Sequence, residues 1–320
     1  MASQPYSRLL LGVVGTGLWM FFSSSLIILN KNLYKNLDFQ RPFFVTGMGQ
    51  LFSFLGGLSL VGMGVLPLRP VPKLSFCVTR LLPIVLSSTA TMFFGNTTYL
   101  YLSLSFIQIL KAFTPALTLL LCVIVGLERM HWPLVLSIAL ITFGTANAVI
   151  EERGAPSFKA LGLFSFLASS LTEASRVVGA EVLLGAQRFN SAEALVYIGG
   201  PTAVFLLLGA VVWEGMGPTS DGWAVIAQTP SAFLAAFTMS FLVNLSCYFA
   251  IQYTSSLTFK VAGCVKNIGV VWYGIVAHKE HVTLVQMAGY AVSIIGFAIY
   301  SKLKMSVKAL SEGRNKLVRV

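Results

Sequence analysis

The stretch SFIQILKAFTP, Ser105–Pro115, places a single lysine, Lys111, inside an apolar run that continues from Ala116 to Val125. Such a run can cross a bilayer, because the roughly 30 Å hydrocarbon core takes about 20 helical residues. A charged side chain near the bilayer centre costs about 2.5 kcal/mol or more and usually faces a cavity or a partner. The stretch therefore predicts a membrane helix whose cation has a functional reason to be there.

The composition of the whole chain indicates the same class of protein. Of the 320 residues, 56% are hydrophobic and 10% are charged, and the mean hydropathy is +0.81. Soluble domains carry about 25% charged residues, so one water-soluble core cannot bury a chain this apolar. We therefore expect an all-α polytopic membrane protein in which residues 1–320 form a single transmembrane domain.

Ten apolar segments of membrane-spanning length follow one another along the chain. They are approximately Leu9–Leu29, Pro42–Leu66, Leu81–Leu102, Leu104–Val125, Trp132–Ile150, Ala160–Leu184, Ala192–Trp213, Ala224–Ala250, Ser255–Ala277 and Leu284–Tyr300. Only a tight turn near Leu102–Leu104 separates the third segment from the fourth. The sequence therefore predicts ten transmembrane helices with short loops.

The net charge of +11 is distributed unevenly over the predicted loops. With ten spans, both termini lie on one side of the membrane; that side carries twelve Lys and Arg residues and the other carries six. An excess of positive residues favours the cytosolic side. We therefore predict cytosolic termini, with residues 301–320 as a basic tail at the membrane surface and not as a nucleic-acid-binding segment.

Four of the 22 Lys and Arg residues fall inside the predicted spans: Lys111, Arg176, Lys260 and Lys266. Lys111 and Lys266 lie several residues inside their spans, which favours a binding role for both. Glu173 precedes Arg176 by three residues on the same helical face and offers a structural ion pair instead. Lys260 lies near a helix end, from which its ammonium group can reach the interface. For Arg176 and Lys260, binding and structural roles both stay open.

Several residues recur at a nearly constant offset in the two halves of the chain. Glu128 and Glu280 are 152 positions apart, as are Gly144 and Gly296, and Lys111 and Lys266 are 155 apart. Residues 9–150 and 160–300 therefore correspond as halves of five spans, and an odd number of spans inverts the second half. Inverted repeats are typical of secondary transporters, which bind substrate near the midplane where the halves meet. Pro115 and Gly263 predict local helix irregularity beside the two lysines.

The charges inside the spans indicate the chemistry of the ligand. Glu173 offsets one of the four cations, and the other carboxylates in the spans, Glu181 and Glu193, lie near span ends. The remaining positive charge requires a compensating anion or a water-filled cavity. Lysine is a common point-charge partner of phosphate, so we expect a phosphorylated small molecule as the substrate. No Asp lies in any predicted span, which argues against coupling to protons or sodium. Exchange of one phosphorylated anion for another is the transport mode that fits.

Other classes of protein fit the sequence less well. The three histidines, His131, His278 and His281, lie in loops or at span edges, and the chain has no HExxH or Gly-x-Ser-x-Gly motif. We therefore expect no enzymatic activity, no cofactor and no metal site. No pore-lining ring or filter loop indicates a channel. A receptor or scaffold would leave the lysines inside the spans without a role.

Four stretches together carry a resemblance to a known family. They are LNKNLY (Leu29–Tyr34), GNTTYLYLS with SFIQILKAFTP (Gly95–Pro115), TEASRVVGAEVLL (Thr172–Leu184) and TSSLTFKVAGCVKN (Thr254–Asn267). In this order they resemble the triose-phosphate/nucleotide-sugar translocator family, within the drug/metabolite transporter superfamily. The resemblance implies a ten-helix antiporter that exchanges phosphorylated solutes by alternating access.

Two positions differ from the plastid phosphate branch of that family. In that branch the ninth-span lysine is followed by arginine, whereas Lys266 is followed by Asn267, and its fourth-span histidine is replaced by Gln108. The resemblance therefore favours the branch of Golgi and ER membranes, whose members are taken to move nucleotide sugars. Exchange of a sugar phosphate for inorganic phosphate in the plastid envelope stays the alternative.

The candidate substrate-binding residues combine the cations inside the spans with their neighbours in these motifs. They are Lys111, Lys266, Lys260, Arg176, Gln108, Asn267 and Tyr273. Tyr273 lies seven residues after Lys266 and so on the same helical stripe. Asn96, Asn244 and Tyr248 are further candidates for recognising a base or sugar, with an interhelical hydrogen bond or plain packing as the alternative.

Overall fold

The computed structural model describes residues 5–68, 72–102, 104–126, 132–153, 160–186, 189–253, 263, 266–267, 272–273, 276, 283–296, 298–299 and 302. Every regular element in those ranges is helical. The predicted all-α class is confirmed for this part of the chain.

The described residues of the first half of the chain form seven α-helices. Their bounds are α1 Pro5–Lys35, α2 Pro42–Gly62, α3 Leu74–Phe76, α4 Leu82–Tyr101, α5 Leu104–Leu110, α6 Thr114–Ile124 and α7 Trp132–Arg153. The π-helix Cys77–Leu81 joins α3 to α4, and the 3₁₀ turn Lys111–Phe113 joins α5 to α6. Because α4 ends at Tyr101 and α5 begins at Leu104, the predicted tight turn between the third and fourth spans is confirmed.

The second half contains the remaining described helices. Their bounds are α8 Ala160–Ala186, α9 Ser191–Ala194, α10 Gly200–Glu214, α11 Gly222–Gln228 and α12 Pro230–Tyr253, followed by α13 Leu284–Gly296. The π-helix Leu195–Gly199 joins α9 to α10. Most of the predicted ninth span, Ser255–Ala277, lies outside the described residues.

Six helices within the described ranges are long and apolar enough to cross a membrane. They are Leu10–Tyr34, Pro42–Gly62, Leu74–Tyr99, Phe106–Ile124, Ser191–Glu214 and Pro230–Tyr253. These six correspond to the first four predicted spans and to the seventh and eighth. The chain is therefore a multi-pass membrane protein, and its described part is all-helical.

The predicted eighth span, Ala224–Ala250, begins too early. The short helix α11 ends at Gln228, Thr229 leaves the helical conformation with φ −132° and ψ 52°, and α12 begins at Pro230. Proline is favoured at the first position of a helix because its missing N–H would have no partner there. The apolar sequence before Pro230 therefore forms a separate helix and not the start of the span.

Two compact units make up the molecule, and each combines segments from both halves of the chain. Unit 1 comprises Met1–Thr97 and Ser175–Phe259, and unit 2 comprises Thr98–Ala174 and Lys260–Val320. In unit 1, α1 packs along α12, and α2 packs against α10 and α12. An aromatic core that includes Phe44, Phe233 and Phe237 joins α2 to α12.

A carboxylate clamp lies at the start of α2 in unit 1. The backbone N–H groups of Phe43 and Phe44 donate to the carboxylate of Glu214, at 2.6 and 2.9 Å. These donors have no partner within their own helix, so Glu214 satisfies them and complements the helix dipole. Arg41 pairs with Asp221, and its hydrogen bond and charge hold the pKa of the Asp221 carboxyl below its usual range.

In unit 2, α7 and α13 approach each other through two glycines. A Cβ at Gly144 would lie 2.5 Å from Ser293 Oγ and 2.8 Å from Ser293 N, and one at Gly296 would lie 3.0 Å from Leu140 Cβ. Ser293 Oγ also donates to the carbonyl oxygen of Ile141 at 3.1 Å. Small residues therefore allow the two backbones to come close.

Candidate functional site

The candidate site centres on Lys111, at an interruption of the helix that carries it. Pro115 has no N–H, so it cannot donate to the carbonyl of Lys111 as an α-helix would require. The N–H of Thr114 donates to that carbonyl instead, which closes the 3₁₀ turn Lys111–Phe113. The sequence prediction of an irregular helix beside Lys111 is therefore confirmed.

A tyrosine at the end of α4 contacts the ammonium group of Lys111. Lys111 Nζ donates to Tyr99 Oη at 3.2 Å and lies 5.6 Å from the centroid of the Tyr99 ring. Glu173, on α8, is close enough to attract the ammonium group electrostatically. A phenol, an aromatic face and a carboxylate thus replace part of the hydration that a half-buried lysine loses.

Gln108 lies three residues before Lys111 in the sequence, on α5. Its side chain is fully buried, and neither its amide nitrogen nor its amide oxygen has a hydrogen-bond partner. A buried polar group without a partner costs about 1–3 kcal/mol, so such a group calls for an explanation. One donor and one acceptor, close in sequence to a cation, can recognise the polar part of a small molecule.

Residues near Lys111 also fix the helices around it. Thr114 Oγ1 and Ser170 Oγ, both buried, lie 3.4 Å apart and connect α6 to α8. A cluster of buried side chains including Phe106, Leu110 and Phe166, against which Tyr99 packs, also lies in unit 2. Lys111 is therefore held by a packed helical framework and not by a loop.

Unit 2 contains Lys111 and also three candidate binding residues of the predicted ninth span, Lys266, Asn267 and Tyr273. Lys266 and Asn267 are helical; Lys266 is half-buried, and Asn267 is buried with 7% exposure. Tyr273 is also helical and half-buried. Lys260 lies outside the described residues. Lys266, Asn267 and Tyr273 are therefore all at least half-buried, as we expect of residues that bind a substrate inside a membrane span.

Arg176 lies in the other compact unit, on the part of α8 that belongs to unit 1. It is half-buried and hydrogen-bonds to the hydroxyl of Tyr248, which is 6% exposed. Tyr248, a further candidate for recognising the substrate, is thus in contact with Arg176.

Two asparagines that are candidates for recognising a base or sugar connect helices through hydrogen bonds. Asn96 Nδ2 donates to the carbonyl oxygen of Pro42 at 3.2 Å and to Thr46 Oγ1 at 3.0 Å, which joins α4 to α2. Asn244 Nδ2 donates to Ser53 Oγ at 3.0 Å, which joins α12 to α2. Both side chains thus use their donors in interhelical hydrogen bonds, the alternative that the sequence left open.

Tyr99 is the neighbour of Lys111 that sequence reasoning did not single out. It belongs to the GNTTYLYLS stretch and lies 12 residues before Lys111, and in one continuous helix that register would place the two residues about 18 Å apart along the axis and on different faces. The turn at Leu102 breaks that register, so only the folded chain brings Tyr99 and Lys111 together.

No group of three or more His, Cys, Asp or Glu suited to a metal ion occurs among the described residues.

Comparison with known proteins places the chain among membrane carriers. The model of the Triose-phosphate Transporter family matches residues 10–301. A probable sugar phosphate/phosphate translocator of Arabidopsis thaliana is 28% identical, over 91% of this chain and 86% of the relative. A UDP-galactose transporter from the same plant is 25% identical over 92% and 88%, respectively. A GDP-mannose transporter is 26% identical over 89% and 84%.

A solved crystal structure with a similar fold is among those that match the chain. It aligns with a TM-score of 0.53 at 16% sequence identity and covers 93% of this chain and 99% of its own. At this identity the likeness concerns the fold alone.

Proposed function

Because the chain belongs to the Triose-phosphate Transporter family, we propose that it is an antiporter for phosphorylated organic anions that works by alternating access. The favoured pair of substrates is a nucleotide sugar and a nucleoside monophosphate. The observation that carries the proposal is Lys111, a cation within a membrane-length apolar helix that lies against Tyr99 and within electrostatic reach of Glu173.

The proposed anion site combines Lys111, Gln108, Lys266 and Asn267. All four are at least half-buried and belong to unit 2. The two ammonium groups would bind phosphate, and the Gln108 amide would find in the substrate the partners that it lacks in the protein. Lys260 and Tyr273, also of unit 2, complete the proposed set. Arg176, of unit 1, stays a separate candidate whose role is also structural because of its bond to Tyr248.

The proposed architecture is ten helices in two inverted halves, residues 9–150 and 160–300. The crossing of α7 and α13 supports it, because Gly144 and Gly296, which are 152 positions apart, both lie in that crossing. The hydrogen bond from Ser293 to Ile141 also joins residues 152 positions apart. A two-fold relation between the halves would produce such reciprocal contacts.

Two candidate functions differ in their substrates: exchange of a nucleotide sugar for a nucleoside monophosphate, and exchange of a sugar phosphate for inorganic phosphate. Asn267 and Gln108 stand where the plastid phosphate branch has Arg and His, which favours nucleotide-sugar exchange in a Golgi or ER membrane. Relatives named for UDP-galactose and GDP-mannose transport agree with this choice. A relative named as a probable sugar phosphate/phosphate translocator favours sugar-phosphate exchange instead, in the plastid envelope, as the second candidate.

Exchange should be obligatory and nearly electroneutral. Occlusion of the site without an anion would leave several cations out of water, whereas a bound phosphate balances them. A nucleoside monophosphate carries about −2 at neutral pH because its second pKa is near 6, so the exchange of matched charges should respond little to membrane potential. Ligand binding favours the occluded state only through its higher affinity for that state.

Reconstituted protein tests both the exchange and the substrate. Liposomes preloaded with a nucleoside monophosphate, with inorganic phosphate or with neither would be compared for initial uptake of labelled nucleotide sugar and labelled sugar phosphate. We expect rapid nucleotide-sugar uptake only with internal nucleoside monophosphate. Uptake that requires internal phosphate would favour the second candidate, and equal uptake into unloaded liposomes would contradict obligatory exchange.

A further inference from the structure

Tyr99 and Lys111 form a pair that only the folded chain creates. Tyr99 lies in the last turn of α4, and Lys111 follows α5, on the far side of the turn at Leu102. Tyr99 packs against the cluster of Leu102, Phe106 and Leu110. This packing holds its ring and hydroxyl in one position relative to the lysine, as a binding group requires.

The geometry of the pair leaves both residues able to donate further hydrogen bonds. An ammonium group has three N–H donors, and Lys111 uses one of them on Tyr99 Oη at 3.2 Å. The phenol oxygen is the acceptor in that bond, so its own O–H can point to another acceptor. The ring face, 5.6 Å from Nζ, favours the charged form of the lysine.

Two adjacent donors of this kind suit an anion with several oxygens. Lys111 Nζ and Tyr99 Oη are close enough to reach two oxygens of one phosphoryl group, and hydrogen bonds to a charged acceptor are the stronger class. We propose that Tyr99 is a second anion-binding residue, which positions Lys111 through its ring and hydroxyl oxygen and donates its own hydroxyl proton to the phosphate that Lys111 binds. This inference rests on the proposed function, because it deepens the role of the Lys111 site.

A change of one atom tests this role. Tyr99→Phe keeps the ring, the packing and the cation–π contact but removes the hydroxyl. Homoexchange of nucleoside monophosphate and of inorganic phosphate would be measured in liposomes for the wild type, Tyr99→Phe and Tyr99→Leu. Loss of one hydrogen bond to a charged group should raise the KM of Tyr99→Phe about tenfold, with kcat within about twofold. Tyr99→Leu, which also loses the ring, should raise the KM further.

Tyr101→Phe is the matched control. It removes a hydroxyl from the same final turn of α4, two residues from Tyr99. This variant should leave the KM unchanged. Melting temperatures of the detergent-solubilised variants would show whether folding is altered. An unchanged KM in Tyr99→Phe, with exchange lost in Lys111→Ala, would overturn the role of Tyr99 and leave the proposed function intact.

Two further outcomes have distinct meanings. A lower kcat and melting temperature in Tyr99→Phe, with an unchanged KM, would make Tyr99 a packing residue and also overturn the inference. Normal exchange by a folded Lys111→Ala variant would instead contradict the assignment of Lys111 itself, on which the proposed function depends.

Discussion

At the scale of single residues, the partners of a charge decide whether it is tolerated inside a membrane helix. Lys111 has a phenol, an aromatic face and a nearby carboxylate. These groups reduce the cost of its desolvation, and the group that accepts a hydrogen bond from it, the Tyr99 phenol, is uncharged. The ammonium group therefore keeps the capacity to attract an anion, which is the property that the proposed exchange requires.

Removal of either lysine should largely abolish exchange. Lys111→Ala and Lys266→Ala each delete a charge-assisted interaction with phosphate, so exchange should fall at least about tenfold while the protein still reaches its membrane. Lys→Gln at either position should fail similarly, because the charge is what the anion needs. Liposome exchange assays, normalised to folded protein, provide the measurement. Normal rates in both alanine variants would show that the binding site lies elsewhere.

Gln108 should contribute to substrate binding at the expense of stability. Gln108→Leu removes two buried polar atoms that have no partner, so it should leave the free energy of unfolding unchanged or raise it by about 1–3 kcal/mol, while the KM for substrate increases. Thermal melting and exchange kinetics would be measured together.

A second buried glutamine provides the contrast for that experiment. Gln286 Oε1 accepts from the N–H of Thr283 at 3.0 Å at the start of α13, so Gln286→Leu should lower stability by about 1 kcal/mol. Lower stability in Gln108→Leu, similar to that in Gln286→Leu, would indicate a structural role for Gln108.

At the scale of helices, two helices can approach closely where a glycine has no side chain to separate their backbones. The crossing of α7 and α13 has no room for a methyl group at Gly144, whereas a Cβ at Gly17 in α1 would meet nothing within 4 Å. The same residue type thus has opposite effects in two helices. Sequence periodicity does not distinguish the two positions, since the distinction lies in the neighbouring helix.

Gly144→Ala should therefore destabilise the protein, and Gly17→Ala should not. The added methyl group at Gly144 would clash with Ser293, and overpacking of this kind costs about 1–3 kcal/mol. At Gly17 the change should be neutral or stabilising by up to about 1 kcal/mol, because alanine favours helix more than glycine does. Melting temperatures of the two purified variants give the comparison. Equal melting temperatures would contradict the close crossing of α7 and α13.

At the scale of the whole molecule, the distribution of charge predicts the orientation. Tags at Ser3 and after Val320 should be accessible from the cytosol, and a tag between Glu151 and Ser157 should face the lumen, since positive residues accumulate on the side of the termini. Protease protection or impermeant labelling of sealed vesicles provides the measurement. Labelling of both termini from the lumenal side would reverse the proposed orientation.

The sequence by itself determined the membrane class and the placement of Lys111. Long apolar runs have no stable environment except lipid or a large apolar core, so hydropathy was sufficient to identify the six described helices of membrane-spanning length. Pro115 was likewise sufficient to predict the interruption at Lys111, because a missing N–H is a local property of the chain. The early start of the eighth span shows the limit of hydropathy, which does not register the single residue at which a helix stops.

The tertiary structure decided which polar side chains contact one another. The sequence predicted three candidate substrate contacts, Asn96, Asn244 and Tyr248. In the structure, their hydrogen bonds connect elements of unit 1. Tyr99 was not among the binding residues predicted from the sequence, yet it contacts Lys111. The reason is that a hydrogen bond depends on two groups within about 3 Å of each other, and between helices that distance is set by packing and turns, not by spacing along the chain.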